Sequence, residues 1–260
     1  MLGKIFYKKF KSKKPKDLFW RFYYYFLGVP DFHSHIRYRN VKSYFLPVKN
    51  TIEIGSGEGL MGMQYVQEFG GTLVSTEINK DVCDNNRNFV KMVGLKNITF
   101  LPISAQLIKK IFNKEKFDQC FAFDVLEHID NDEEILKNIN SILKKNGRLI
   151  ISVPTPWHIL YYGKEHYKET GHVRDGYFIE DIKKKLEIAG FNLIDYHYHS
   201  FYLISKIVFL WYQKWRHNKF MGYVKILLNP LFQIISYFDF LSNKEFPCHL
   251  VVVALKKIKL

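Results

Sequence analysis

Three groups of residues in this chain have types and spacings that can do chemistry. The first is Glu53-Ile-Gly55-Ser56-Gly57-Glu-Gly59, a β-rich run that breaks into alternating glycines. Glycines at that point let the backbone turn sharply and approach a ligand closely. The second is Glu77, 24 residues after Glu53 and at the end of the next β-rich run. An acid there can accept both ribose hydroxyls of a nucleoside. The third is a set of histidines, His128, His158, His166 and His172, with Arg174 close behind. Histidine changes protonation near neutrality and suits removal of a proton from an acceptor. Together these predict a nucleotide-like cofactor with acceptor chemistry beside it. Gly57-Glu-Gly59-Leu-Met-Gly62 also fits the dinucleotide pattern GxGxxG. The tight turn starts at Gly55, two residues too early for that reading.

The elements that must position these residues alternate. Short strands are predicted at 51–54, 72–78, 98–101, 117–124, 148–153, 191–199 and 249–255. Helices are predicted between them at 60–69, 80–93, 104–112, 132–145 and 178–189. The alternation predicts an α/β fold with a doubly wound, mostly parallel seven-stranded sheet. The last strand follows Pro247 without a crossover of its own and is expected to insert antiparallel. Residues 1–46 read as a basic, aromatic, helical N-terminal extension, and 47–260 as the main domain. An apolar helical insert at about 201–245 precedes the last strand.

Four segments in order carry a family resemblance. Glu53-x-Gly55-x-Gly57-x-Gly59 resembles motif I of the class I S-adenosylmethionine-dependent methyltransferases. Phe123-Asp124-Val-Leu126-Glu127-His128 resembles their fourth-strand motif. Gly147-Arg-Leu-Ile-Ile-Ser-Val-Pro154 resembles the fifth strand. Gly171-His172-Val-Arg174-Asp-Gly-Tyr177 through Gly190-Phe191 resembles the approach to the last helix and sixth strand. The resemblance covers about 48–200 and the last strand, and it implies a Rossmann-like sheet with S-adenosylmethionine as cofactor. It implies that Gly55, Ser56, Gly57 and Gly59 cradle the methionine portion, and that Glu53 holds the loop and the cofactor ammonium. It places Glu77 on the ribose, Ile78 against the adenine, Ser104 and Ala105 at the adenine edge, and Asp124 and Leu126 beside the sulfonium. The family commonly has Asp where this chain has Ser104. His128, His172 and Arg174 fall at the expected acceptor side as catalytic candidates. His128 could equally be a satisfied histidine at a helix start, and His172 and Arg174 solvated loop residues. Arg37 and Arg39 could meet the cofactor carboxylate or lie on the surface.

Charge adds a second theme. The 260 residues hold 39 Lys and Arg against 25 Asp and Glu, a formal +14. Residues 1–21 contain eight basic residues and one acid, and residues 201–260 contain nine basic and two acids, so the middle is neutral. Both ends are rich in aromatic and apolar residues. That combination predicts contact with an anionic membrane through 1–21 and 201–241, with RNA a less favoured partner. The expected acceptor is a small-molecule, glycan or lipid-linked hydroxyl. A non-catalytic cofactor-binding scaffold is the remaining alternative. Cys83, Cys120 and Cys248 form no CxxC pair, so no zinc site or other metal is expected, and a cytoplasmic location fits. No apolar run is long enough to span a bilayer.

Overall fold

The computed structural model describes residues 18–19, 22–23, 32–160, 170–199, 219–237 and 246–258. Predicted features at 1–17, 161–169, 201–218 and 238–245, including His166, lie outside the described residues. In chain order the elements are α1 (Phe32–Val41), β1 (Asn50–Ile54), α2 (Leu60–Phe69), β2 (Thr72–Glu77), α3 (Lys80–Val93), β3 (Ile98–Pro102) and α4 (Ile108–Ile111). There follow β4 (Phe117–Phe123), α5 (Asp132–Ile142), β5 (Leu143–Pro154), α6 (Ile179–Ile188), β6 (Phe191–His199), α7 (Lys219–Ser236) and β7 (His249–Lys256).

The strands form one seven-stranded sheet in the order β3-β2-β1-β4-β5-β7-β6. β1 to β5 run parallel, and β7 inserts antiparallel between β5 and β6. The central strands read as continuous apolar runs because helices cover both faces. Ile52, Cys120, Leu149 and Val252 face one core layer with α5 and α6. Phe121, Ile150 and Val251 face the other with α2, α3 and the α1 end, where Phe45 meets Tyr65 and Phe121. The chain order reverses between β1 and β4, and such a switch point leaves a crevice at the strand carboxyl ends.

Two predicted helices come out shorter. Residues 104–112 supply a 3-10 turn at Ala105–Leu107 and only one turn of α4. The Ser104 hydroxyl accepts the Gln106 N–H and starts that turn. α5 stops at Ile142 rather than 145 because Leu143 already pairs with Phe117, so β5 begins five residues early. Cross-strand pairing outweighs the helix preference of the lysines that follow.

The described parts of the two basic additions meet. α1 packs on α7, and Arg39 donates to Ser236 Oγ at 3.1 Å and to the Ser236 carbonyl at 3.2 Å. Tyr23 accepts a 3.2 Å bond from buried Asn229 of α7. Arg39 is thus a structural tie between the additions.

Candidate active site

A cleft of about 450 Å³ opens at the carboxyl ends of β1, β2 and β4. It is lined by Gly55, Gly57, Glu77, Ile78, Ser104, Ala105, Asp124 and His128, with Ile103, Gln106, Val125 and Ile129 between them. Eight of the residues singled out from sequence are therefore brought together, from four separate stretches of chain.

The loop after β1 explains its own composition. Gly55 has φ 67°, and a Cβ there would stand 2.5 Å from Val125 Cγ2. Gly57 has φ 50° and no heavy atom within 4 Å of where a Cβ would be, so its backbone is bare toward the cleft. The loop is held from several sides. The Ser56 N–H donates to the Thr76 carbonyl at 2.8 Å. Asn86 of α3 donates to the Gly57 carbonyl at 2.7 Å. Asn86 was missed from sequence; its only signal is a polar residue on the buried stripe of α3 with Cys83 and Val90.

Glu77 is oriented by two backbone amides, Gly57 N–H and Asn79 N–H, each at 3.0 Å. A carboxylate has about four acceptor positions, so two remain for a pair of ligand hydroxyls. Beside it Ile78 is 75% exposed and offers the cleft an apolar surface that a flat ligand could cover. The geometry therefore fits a nucleoside ligand: a bare glycine cradle, a half-satisfied acid and an uncovered apolar platform.

Three sequence-based expectations need correction. Leu126 is fully buried in the core beneath the cleft, and Val125 takes its place in the lining. Glu53 lies under the loop. Its carboxylate accepts the Ser75 hydroxyl at 2.6 Å and the Gly62 N–H, and burial pushes its pKa up to about 7. A Cβ on Gly62 would collide with it, so that glycine serves close packing. Arg174 points away from an acceptor role. Its guanidinium pairs with Asp132 at 2.5 Å and donates to the carbonyls of Ile129 and Asp130. Arg37 keeps a partly exposed side chain and pairs with Asp124 at 2.6 Å at the cleft edge.

Asp124 has φ 52°, a left-handed conformation that non-glycine residues seldom adopt. It is fixed by its N–H to the Ser152 carbonyl at 2.8 Å, and such enforced geometry concentrates at functional sites. His249 Nε2 lies 3.8 Å from Asp124. From the rim inward a row of rings runs His128, His172, His158, His249, His199, with centroids 4.7, 6.1, 5.5 and 5.3 Å apart. His199 and His249 come from β6 and β7, and nothing in local spacing placed them here. Burial and the neighbouring His249 and His197 push the pKa of His199 well down. Glu127, His128 and His172 each offer a ligand atom within 4.8 Å of the others.

A switch-point cleft with this cradle on a β3-β2-β1-β4-β5-β7-β6 sheet defines the class I methyltransferase fold. The methyltransferase-domain family matches residues 47–195, and the chain belongs to that family. S-adenosylmethionine is the cofactor of this class. Among curated proteins the chain is similar to a ubiquinone biosynthesis O-methyltransferase of Pelagibacter ubique, at 27% identity over 43% of this chain and 45% of that protein. The matches span about half the length, or less, of such relatives. Among solved structures it resembles a putative sarcosine dimethylglycine methyltransferase from Galdieria sulphuraria, with a TM-score of 0.64 and 13% identity over 94% of this chain and 98% of that one. It also resembles a methyltransferase described as S-adenosylmethionine-dependent from Archaeoglobus fulgidus, with a TM-score of 0.60 and 17% identity over 92% and 99%. At such identities the solved structures bear on the fold alone.

Proposed function

We propose that this methyltransferase transfers a methyl group to a hydroxyl oxygen of a small-molecule, glycan or lipid-linked acceptor, working against the cytoplasmic face of a membrane. We assign the catalytic domain to 47–260, with 1–46 and the insert at 201–245 as its docking additions. The observation that carries the membrane half is one face of α7. Phe220, Leu227, Leu231 and Ile234 recur at helical spacing and are each 51–77% exposed. Among the described residues no helix is long and apolar enough to cross a membrane. A partly inserted face beside basic chain ends suits peripheral docking. The O-methyl half is supported by the O-methyltransferase relatives and by histidines at the cleft rim.

When bound, S-adenosylmethionine supplies an electrophilic methyl on a sulfonium. Glu77 would hold the ribose hydroxyls, Ile78 and Ala105 the adenine, and the side-chain-free loop at Gly55 and Gly57 would let the amino-acid portion pack close to the backbone. Asp124, locked against Arg37, would keep negative charge near the positive sulfur. The chain's remaining task is alignment and proton removal. His128 stands on the lining with His172 beside it, and either ring could accept the proton released by the hydroxyl.

The test is methyl-labelled cofactor incubated with the protein and a host-cell extract, followed by phase separation. Label in the solvent-extractable or polysaccharide fraction, lost in Glu77→Ala, is the expected outcome. Label in an aqueous fraction that ribonuclease destroys would replace the acceptor with RNA and sink this assignment.

A further inference from the structure

We propose that Glu127, His128 and His172 bind a divalent transition-metal ion at the acceptor edge of the cleft, with open positions for an acceptor oxygen. The three groups come from the 3-10 turn Leu126–His128 and from the loop before α6, which that turn holds through the Val173 N–H to the Glu127 carbonyl at 2.9 Å. Glu127 is 1% exposed, yet its Oε2 accepts no hydrogen bond. A buried carboxylate oxygen without a donor is costly unless a cation or a proton compensates it. His128 Nδ1 faces the Gly171 carbonyl at 3.3 Å. A carbonyl can only accept, so Nδ1 is the donor in that contact and Nε2 is the ring nitrogen left to meet a metal.

The donor set selects the ion. One carboxylate and two imidazoles are the ligands of open zinc, manganese, iron or cobalt sites, while magnesium and calcium prefer oxygen-only sets. Ligand atoms about 2.1 Å from an ion stand roughly 3 to 3.5 Å apart, so shifts of about an ångström would close a set now within 4.8 Å. His128 is exposed at the rim and can make that shift. With three protein ligands the ion keeps positions open toward the cleft that His128 lines. This inference rests on the O-methylation reading for its purpose. With both imidazoles on the ion neither ring acts as the base; an acceptor hydroxyl bound through its oxygen would instead release its proton to solvent more readily, and no other bond changes at the ion.

The test uses the full chain after chelator treatment, titrated with cobalt(II), manganese(II) and zinc(II). Calorimetry reads stoichiometry, and cobalt's visible absorption reads a nitrogen and oxygen ligand set. One ion per chain is expected, with affinity falling at least about tenfold in Glu127→Gln and in His128→Ala. His128→Ala alters an exposed side chain and guards against misfolding of the buried variant. A circular-dichroism spectrum and melting temperature matching those of the unaltered chain show that each variant is folded. No binding of any of the three ions at millimolar concentration would overturn the proposal, as would equal binding by both variants. Failure of the methyltransferase reading is separately visible, because S-adenosylhomocysteine binding by the metal-free chain tests it alone.

Discussion

Glu53 keeps a carboxyl group in the core under a loop that meets ligand, and burial moves its pKa from 4.5 up to about 7. The folded state therefore holds this proton more tightly than the unfolded chain. Its stabilising contribution is complete below pH 4.5 and is lost as pH rises through 7. That linkage is worth roughly 3 kcal/mol at most. Thermal melts from pH 5 to pH 8 should show a fall that Glu53→Gln flattens; an unchanged slope in the variant would show the group is not responsible. Asn86 acts on the same loop from above. Asn86→Ala leaves the Gly57 carbonyl without its donor, a loss of about 1 to 1.5 kcal/mol. Calorimetric affinity for S-adenosylhomocysteine should drop about tenfold, and full affinity would show the loop holds its shape unaided.

Between α5, α6 and the loop that carries His172, one buried acid organises the packing. Asp132 is 2% exposed at the start of α5 and receives Arg174, Lys185 at 2.8 Å and the Tyr177 hydroxyl at 2.6 Å. Removing the shared partner takes the shortest ion pair from both cations, leaving Arg174 two carbonyls and Lys185 the 3.5 Å pair to Glu133. Asp132→Ala should cost about 3 to 5 kcal/mol by denaturant unfolding. Arg174→Ala should lower stability less and leave S-adenosylhomocysteine affinity unchanged. A variant at 174 that is stable but inactive would return this arginine to the acceptor and overturn its structural assignment.

Across the whole molecule, the pairing of α1 with α7 puts the described parts of both basic additions on one body. Arg39 stacks 4.5 Å over Tyr237 as well as binding Ser236. On the proposed membrane reading the exposed row on α7 is the docking face, and a double charge should abolish it. Leu227→Glu with Ile234→Glu should lose sedimentation with anionic vesicles while keeping cofactor affinity. Binding of the unaltered protein should weaken, though not vanish, as salt rises, because burial of apolar side chains is not screened. Equal sedimentation of the variant would remove α7 from the interface.

Glycine spacing, Glu77 and strand–helix alternation were enough, from sequence, to place a nucleoside cleft on a mostly parallel sheet with an antiparallel last strand. These are local signals: a tight turn needs glycine, and buried strands and amphipathic helices carry their own periods. Sequence also marked His128 and His172 as neighbours of that cleft. It did not separate Leu126 from Val125, because adjacent residues leaving a strand face opposite ways and only packing says which is core. It gave Arg174 the wrong partner and left Arg37 open between the surface and the cofactor carboxylate, since Asp132 and Asp124 lie 42 and 87 positions away. The histidine row needed β6 and β7 beside β5, and the Glu127 cluster needed a loop 44 residues on to fold back over the turn. Such long-range meetings are decided by chain topology and by which polar groups remain to be satisfied once the core has closed.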